Sequence, residues 1–388
     1  MAETTIQWTA TLMPDGTWRA GYTFNAWLRC TRVSDACLSC YAETWAGRAK
    51  HPVDSTGKKL PLWGDDAPRD MTSDHYWRQP LRWNREAQES GVQSKVFCAS
   101  LSDVFEDHPA INASGARERL WLLIETTPWL IWMVLTKRPE NIMKMIPERW
   151  RKQLPPNVWV GTTTENQEWA EKRIPHLFMV PSVVRFLSIE PMLGPVDLTD
   201  LVLRDGNPDH GEAHYSALEC DVDPIDDGDW LGKTVNLVIV GGESGPHARP
   251  SHPDWARSVR DQCIAEGVPF HFKQHGEYEP VCSAESYIDG IEGMGDVTEW
   301  KKMSHKVAIV HHDGRVEKPE GAGYEQWWND FATRNEASMA EGSDTSMVGE
   351  DPWVMHFVGK HVAGRMLDGR TWDQMPVTDT SYLTKATT

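Results

Sequence analysis

From residue 95 to residue 277 the chain repeats one pattern. A short apolar run rich in β-branched or aromatic residues ends abruptly in polar residues, a helical stretch follows, and the next run begins. The runs are KVFCAS (95–100), WLIWMVLT (129–136), VWVGTTT (158–164), VVRFLSIE (183–190), VNLVIVGGES (235–244) and VPFHFKQH (268–275). Continuous apolar runs of this length predict strands buried on both faces, as in a parallel sheet. Between them, ARERLWLLIET (116–126) consists of strong helix formers, and 140–153 places Ile142, Met145 and Ile146 at helical spacing. Residues 165–178, with Trp169 and Ile174, predict a further helix. Over 251–266, Ser251 and Asp254 form a capping-box pattern, Trp255, Val259 and Cys263 recur every four residues, and Gly267 ends the helix. Cys263 therefore reads as a buried apolar residue.

Repeated βα units predict an open doubly wound sheet or a closed or partial barrel. In both, the loops after the strands build the site. The residues closing the runs are Ser100, Ser102 and Asp103; Thr136, Lys137 and Arg138; Thr162 to Asn166; Ser188 and Glu190; Gly241 to Ser244; and Lys273 to His275. Strand ends are polar in any case, because chains surface there. Six consecutive units ending this way predict one rim of potential ligands.

Two stretches break the rhythm. Residues 204–232 are acidic and rich in Gly and Pro, an insertion expected to be a lid, a partner loop or a solvated loop. Residues 336–351 read as a linker of low hydrophobicity, after which amphipathic character returns and a packed tail is expected. The division is thus a barrel-like unit over 1–278 and a C-terminal extension over 279–388. The formal charge of −18 argues against a broad phosphate-binding surface. No apolar run approaches the ~20 residues of a membrane span. The opening MAETTIQWTA lacks the regions of a signal peptide, so a cytoplasmic protein with no membrane partner is expected.

Seven cysteines in a long cytoplasmic chain are not a disulfide framework. Three of them, Cys30, Cys37 and Cys40, fall within eleven residues, on a stretch with little helix or strand character until a helix begins at Tyr41. Three thiolates on one loop can hold a cubane iron–sulfur cluster and leave its fourth iron open. Zinc held by the three thiols and Cys98 or a distant histidine is the next reading. Inert packing is a poor account of such a cluster. Zinc sites usually pair two knuckles of two-residue spacing, and no second CxxC or CxxH occurs here.

The segment Cys37-Leu-Ser-Cys40-Tyr41 resembles the end of the radical S-adenosylmethionine signature, although the six residues between Cys30 and Cys37 exceed the common three. That spacing, with the Asn25-Ala-Trp27 opening and Cys40-Tyr41-Ala42-Glu43, is similar to a phage- and prophage-associated group of that superfamily. LTKRPENI (135–142), WVGTTTEN (159–166), RFLSIEPMLGPVDL (185–198), VIVGGESGPHARP (238–250), RDQCIAEGVPFHFKQHGE (260–277) and AGRMLDGRTWDQMP (363–376) carry the likeness from about residue 6 to 377.

The resemblance implies a partial (β/α) barrel of radical S-adenosylmethionine type with the cysteine loop after the first strand. It implies a [4Fe–4S] cluster, S-adenosylmethionine, an external electron donor and hydrogen abstraction from a substrate. By position, Ser100, Ser102 and Asp103 stand where the superfamily binds the methionine amine, without its usual Gly-Gly-Glu segment. Lys137 and Arg138 are candidates for the methionine carboxylate or a substrate phosphate. Thr162 to Thr164 and Glu190 are candidates for ribose or substrate, Gly242 and Glu243 for adenine or substrate, and the Tyr41 ring for the cluster's side.

Phage association points to base modification in DNA or a nucleotide, in concrete form the isomerisation of an amino-acid-modified thymidine. A local basic footprint is expected from Lys137, Arg138, Lys273 and Arg78, Arg82 and Arg85, with Trp77, Trp83 or His275 stacking a base. The contrasting reading is a metal-stabilised, non-catalytic binding module of phage DNA metabolism.

Overall fold

A computed structural model describes residues 3–203, 213–219, 234–283, 307–318, 353–377 and 379–385. The six apolar runs are strands, and one more precedes them. The seven are β1 (Tyr22–Phe24), β2 (Ser94–Cys98), β3 (Leu130–Thr136), β4 (Val158–Thr163), β5 (Val184–Ile189), β6 (Leu237–Gly241) and β7 (Phe270–Gln274). They form one all-parallel sheet in which each strand pairs with the next in sequence. A doubly wound sheet reverses its order partway and is excluded. Right-handed crossovers that all step the same way put the helices on one face, and the sheet curls into a half barrel.

The pleat sorts side chains into two apolar clusters. On the helix side Val96, Trp132, Val160, Leu187 and Val238 join the large core. On the inner side Phe97, Met133, Trp159, Phe186 and Ile239 form a second core with Trp8 from the N-terminal turn. Both faces are thus covered, which is why the runs are apolar without alternation. A Cβ at Gly161 of β4 would stand 2.4 Å from the Phe186 ring, so only glycine leaves the interior room for that ring.

The crossover helices are α1 (Tyr41–Ala46), α2 (Gln79–Ser90), α3 (Ala116–Glu125), α4 (Gln167–Phe178) and α5 (Pro253–Ala265). The helix expected over 140–153 is only Ile142–Met145 between two 3-10 turns. Pro147 has no N–H to continue the helix, and Ile146 before it is extended at ψ 152°. The cap of α5 is His252, whose ring accepts from Asp254 N, rather than Ser251. Gly267 ends that helix at φ +68°, and Cys263 is fully buried.

Part of the acidic insertion is packed structure. Leu201–Leu203 pairs with Ala213–Tyr215, and Tyr215, Ala217 and Leu218 are buried in the main core. The rest of 204–232, and the linker over 336–351, lie outside the described residues. After β7 an antiparallel sheet of β8 (Tyr278–Ser283), β9 (Val307–Val310), β10 (Val316–Glu317) and β11 (Trp353–Phe357) packs beside α5, where Trp255 Nε1 donates to His312 O at 2.8 Å. The tail returns as expected. Phe272 N donates to Trp372 O (3.0 Å) and Gln374 N to Phe270 O (3.3 Å), covering the free edge of β7. Among the described residues no helix is long and apolar enough to cross a membrane.

Candidate metal centre

The cysteine loop leaves the C-terminal end of β1. Asn25, at that end, ties β1 to the loop after β2. Its amide donates to Ser100 Oγ (3.1 Å) and its carbonyl oxygen accepts from Leu101 N (2.7 Å). Beyond it run Cys30, a 3-10 turn over Asp35–Cys37, and Cys40 at the start of α1. The three thiols are free, Cys37 buried and the others half-buried. Burial pushes the Cys30 thiol up to about 12, against the nearby Arg138 guanidinium. Cys40 is also raised by burial, opposed by Lys137 and by backbone N–H groups of Ala42 and Glu43. Such thiols are poor free nucleophiles. They deprotonate readily only when a cation takes the proton's place.

As donors they fit a thiolate-held metal centre: three unpaired sulfurs on one loop, with Arg138 and Lys137 in electrostatic reach. They are not drawn round one point. Among the described residues no group of three or more His, Cys, Asp or Glu side chains stands ready to hold a metal ion. Cys98, the alternative fourth donor, is fully buried in the helix-side core.

A buried ionic network fixes the start of the loop. Thr31, which follows Cys30, is held at each polar group. Its N–H donates to Glu106 Oε1 (2.9 Å), its carbonyl accepts from Arg138 Nη2 (2.9 Å), and its hydroxyl accepts from Arg69 Nη2 (2.8 Å). Arg69 meets Glu106 side-on, at 2.8 and 2.7 Å. Arg138 donates to Asp103 Oδ2 at 2.9 Å and to Cys30 Sγ at 3.5 Å. The far end of the loop is held from β6. Arg249, bound side-on by Glu243 (2.9 and 2.6 Å), donates to Asp35 O at 2.9 Å.

Several residues expected to meet ligands are thus committed within the chain. Asp103 accepts from Phe105 N, Thr136 Oγ1, Lys137 N and Arg138, so it organises the end of β3. Arg138 holds the loop, and Glu243 holds Arg249. Thr162 faces the helix side and donates to Thr136 O at 2.9 Å. Gly242 is where the β6 and β7 loops meet, since a Cβ there would lie 2.1 Å from His275 O. The Ser102 hydroxyl is buried without a partner among the described residues. Lys137 Nζ reaches Thr163 Oγ1 at 3.4 Å, and Glu190 pairs with Lys273 inside the barrel mouth.

Beside the loop lies a cleft of 920 Å³, lined by residues from both open edges of the half barrel. Thr23, Asn25 and Ser100 come from one edge, Ser244 to His247 and Glu277 from the other, and Cys40, Tyr41 and Trp45 from the loop and α1. Tyr41 lines this cleft and is 53 % exposed, and its hydroxyl donates to Ser100 O at 2.6 Å. The protein crowded round the phenol raises its pKa, and the charges of Cys40 and Glu190 add to the effect. Lys137, bound to Thr163, and Glu190, bound to Lys273, stand at the same end of the sheet as the cysteine loop. Trp77 and Trp83 are core residues and offer no face on which a base could stack.

Sequence reading missed Thr31, Arg69, Glu106, Arg249 and Trp45. Nothing in their spacing marks them, because each acquires its partner through the fold. Asn25 was visible within the Asn-x-Trp opening, without its bridging role. No curated protein and no solved structure matches the chain. A family model described as "Protein of unknown function (DUF5131)" matches residues 3–376, and the chain belongs to that family.

Proposed function

We propose that this chain is a radical S-adenosylmethionine enzyme built on a partial (β/α) barrel of radical S-adenosylmethionine type, acting in phage nucleic-acid base modification in the cytoplasm. One observation carries the reading. Three free cysteines of one loop stand at the C-terminal rim of a singly wound half barrel, and Cys40 opens on the 920 Å³ cleft. Cys30, Cys37 and Cys40 would hold the cluster. The chemistry it supplies, with S-adenosylmethionine and one electron from an external donor, is a 5′-deoxyadenosyl radical that takes hydrogen from a substrate.

The chain's own residues do the rest. Asn25, Ser100 and Tyr41 form one rigid wall of the cleft, locked by the Tyr41–Ser100 and Asn25–Ser100 bonds. Lys137, Glu190 and Lys273 place both signs of charge within the barrel mouth, where a zwitterionic methionine or a polar substrate group needs them. The apolar interior below, from Trp159 to Phe186, keeps water out from that side. Trp45 and Tyr41, four residues apart on α1, are exposed to the cleft and give a planar base a surface to stack on. In the proposed reaction an amino-acid-modified thymidine in DNA, or the nucleotide, is rearranged.

Anaerobic incubation of the reconstituted chain with reductant, S-adenosylmethionine and phage or host DNA, followed by nucleoside mass spectrometry, tests this. It should give 5′-deoxyadenosine and an altered nucleoside. A colourless chain with one zinc and no cleavage would point to a binding module instead.

A further inference from the structure

Arg138 follows β3, and its position had marked it for the methionine carboxylate. Its side chain is 9 % exposed and its donors are already aimed. Nη1 donates to Asp103 and to Cys30 Sγ; Nη2 donates to Thr31 O and lies 3.7 Å from Glu106 Oε1. The groups around it balance: Arg69 and Arg138 against Asp103 and Glu106. The two contacts of Arg138 that this pairing does not require, Thr31 O and the Cys30 sulfur, both lie on the cysteine loop.

We propose that Arg138 is a positioning residue for the metal centre, which fixes Cys30 through Thr31 and donates an N–H directly to its sulfur. The inference rests on the cysteine loop holding an iron–sulfur cluster. A cationic N–H donor to a ligand sulfur withdraws charge from the cluster, favours its reduced form and raises its potential. The forked guanidinium is needed. It reaches Cys30 Sγ and Thr31 O from different nitrogens, which the single ammonium of a lysine cannot reproduce.

The full-length wild-type chain, R138K and R138Q would be reconstituted anaerobically with iron and sulfide. Bound iron, its loss to a chelator and the midpoint potential by dye-mediated titration would be measured, with circular dichroism confirming the fold. R138Q should release iron about 10- to 100-fold more readily and have a more negative potential. R138K should fall between, keeping the charge but not the geometry. R138K decides the matter if R138Q does not fold. Variants that hold iron as wild type does, at the wild-type potential, would overturn the role of Arg138 alone. A wild-type chain that takes up zinc and no iron–sulfur cluster would end the reading of the loop, and the role of Arg138 with it.

Discussion

Replacing Arg69 by Ala should strip the cysteine loop of its buried anchor. The side chain is fully buried, and its partner Glu106 is 4 % exposed. Each guanidinium N–H is used. Nε and one Nη2 hydrogen go to Glu106, the other to Thr31 Oγ1, and Nη1 serves Ala67 O (2.6 Å) and Gly64 O (3.2 Å). In the variant, Glu106 keeps Thr31 N at 2.9 Å and Arg138 at 3.7 Å, neither a replacement for a side-on guanidinium. Removing one member of a buried pair costs about 3–5 kcal/mol, chiefly because the remaining charge stays desolvated. That is a large share of the ~5–15 kcal/mol typical of a folded domain. Urea unfolding followed by tryptophan fluorescence reads the loss. E106Q separates the charge from the packing. If the orphaned carboxylate is the cost, R69A combined with E106Q should be less destabilised than the sum of the singles, by ~1–3 kcal/mol. A loss under ~1 kcal/mol in R69A, or additivity within ~0.5 kcal/mol, would refute the argument.

Gly161→Ala should cost ~1–3 kcal/mol through the clash with Phe186, read as a lower unfolding midpoint with an unchanged urea slope. His271, buried inside the barrel, is held down to about 4 by burial, opposed by Asp373. The unfolded chain therefore takes up that proton first as pH falls. Stability should drop between pH ~6.5 and ~4, by an amount on the order of 3 kcal/mol, and this step should vanish in H271Q. Replacing Cys30, Cys37 and Cys40 together should abolish iron–sulfur absorbance after reconstitution, whereas Cys263→Ala, a core change in α5, should keep it. Full iron and sulfide in the triple variant would remove the loop from consideration.

The sheet was legible because its strands are covered on both faces. Runs such as WLIWMVLT have no polar face to hide, and β3 spans Leu130–Thr136 within that run. The choice between a doubly wound sheet and a half barrel was not legible, since both use the same βα units and differ only in strand order. The cysteine loop was visible as residue types at close spacing. Its support was not. Thr31, Arg69, Glu106 and Arg138 lie up to 107 positions apart in sequence and meet only because adjacent strands end at the same rim. For the same reason Asp103 and Glu243 looked like free ligands when read along the chain. A strand-end acid is equally suited to a substrate and to an arginine of its own or the next loop, and here both acids hold arginines. Trp45 went unnoticed among 20 tryptophans, ten of which are buried among the described residues, because its exposure depends on which face of α1 borders the cleft.

The most direct measurement is of the metal itself. The wild-type chain, purified and reconstituted without oxygen, would be assayed for iron, sulfide and zinc, and its reduced form examined by EPR with and without S-adenosylmethionine. About four iron and four sulfide per chain, a brown protein, and a spectrum that changes when S-adenosylmethionine is added are expected. About one zinc per chain in a colourless protein, or an iron–sulfur spectrum unmoved by S-adenosylmethionine shown independently to bind, would contradict an open [4Fe–4S] cluster.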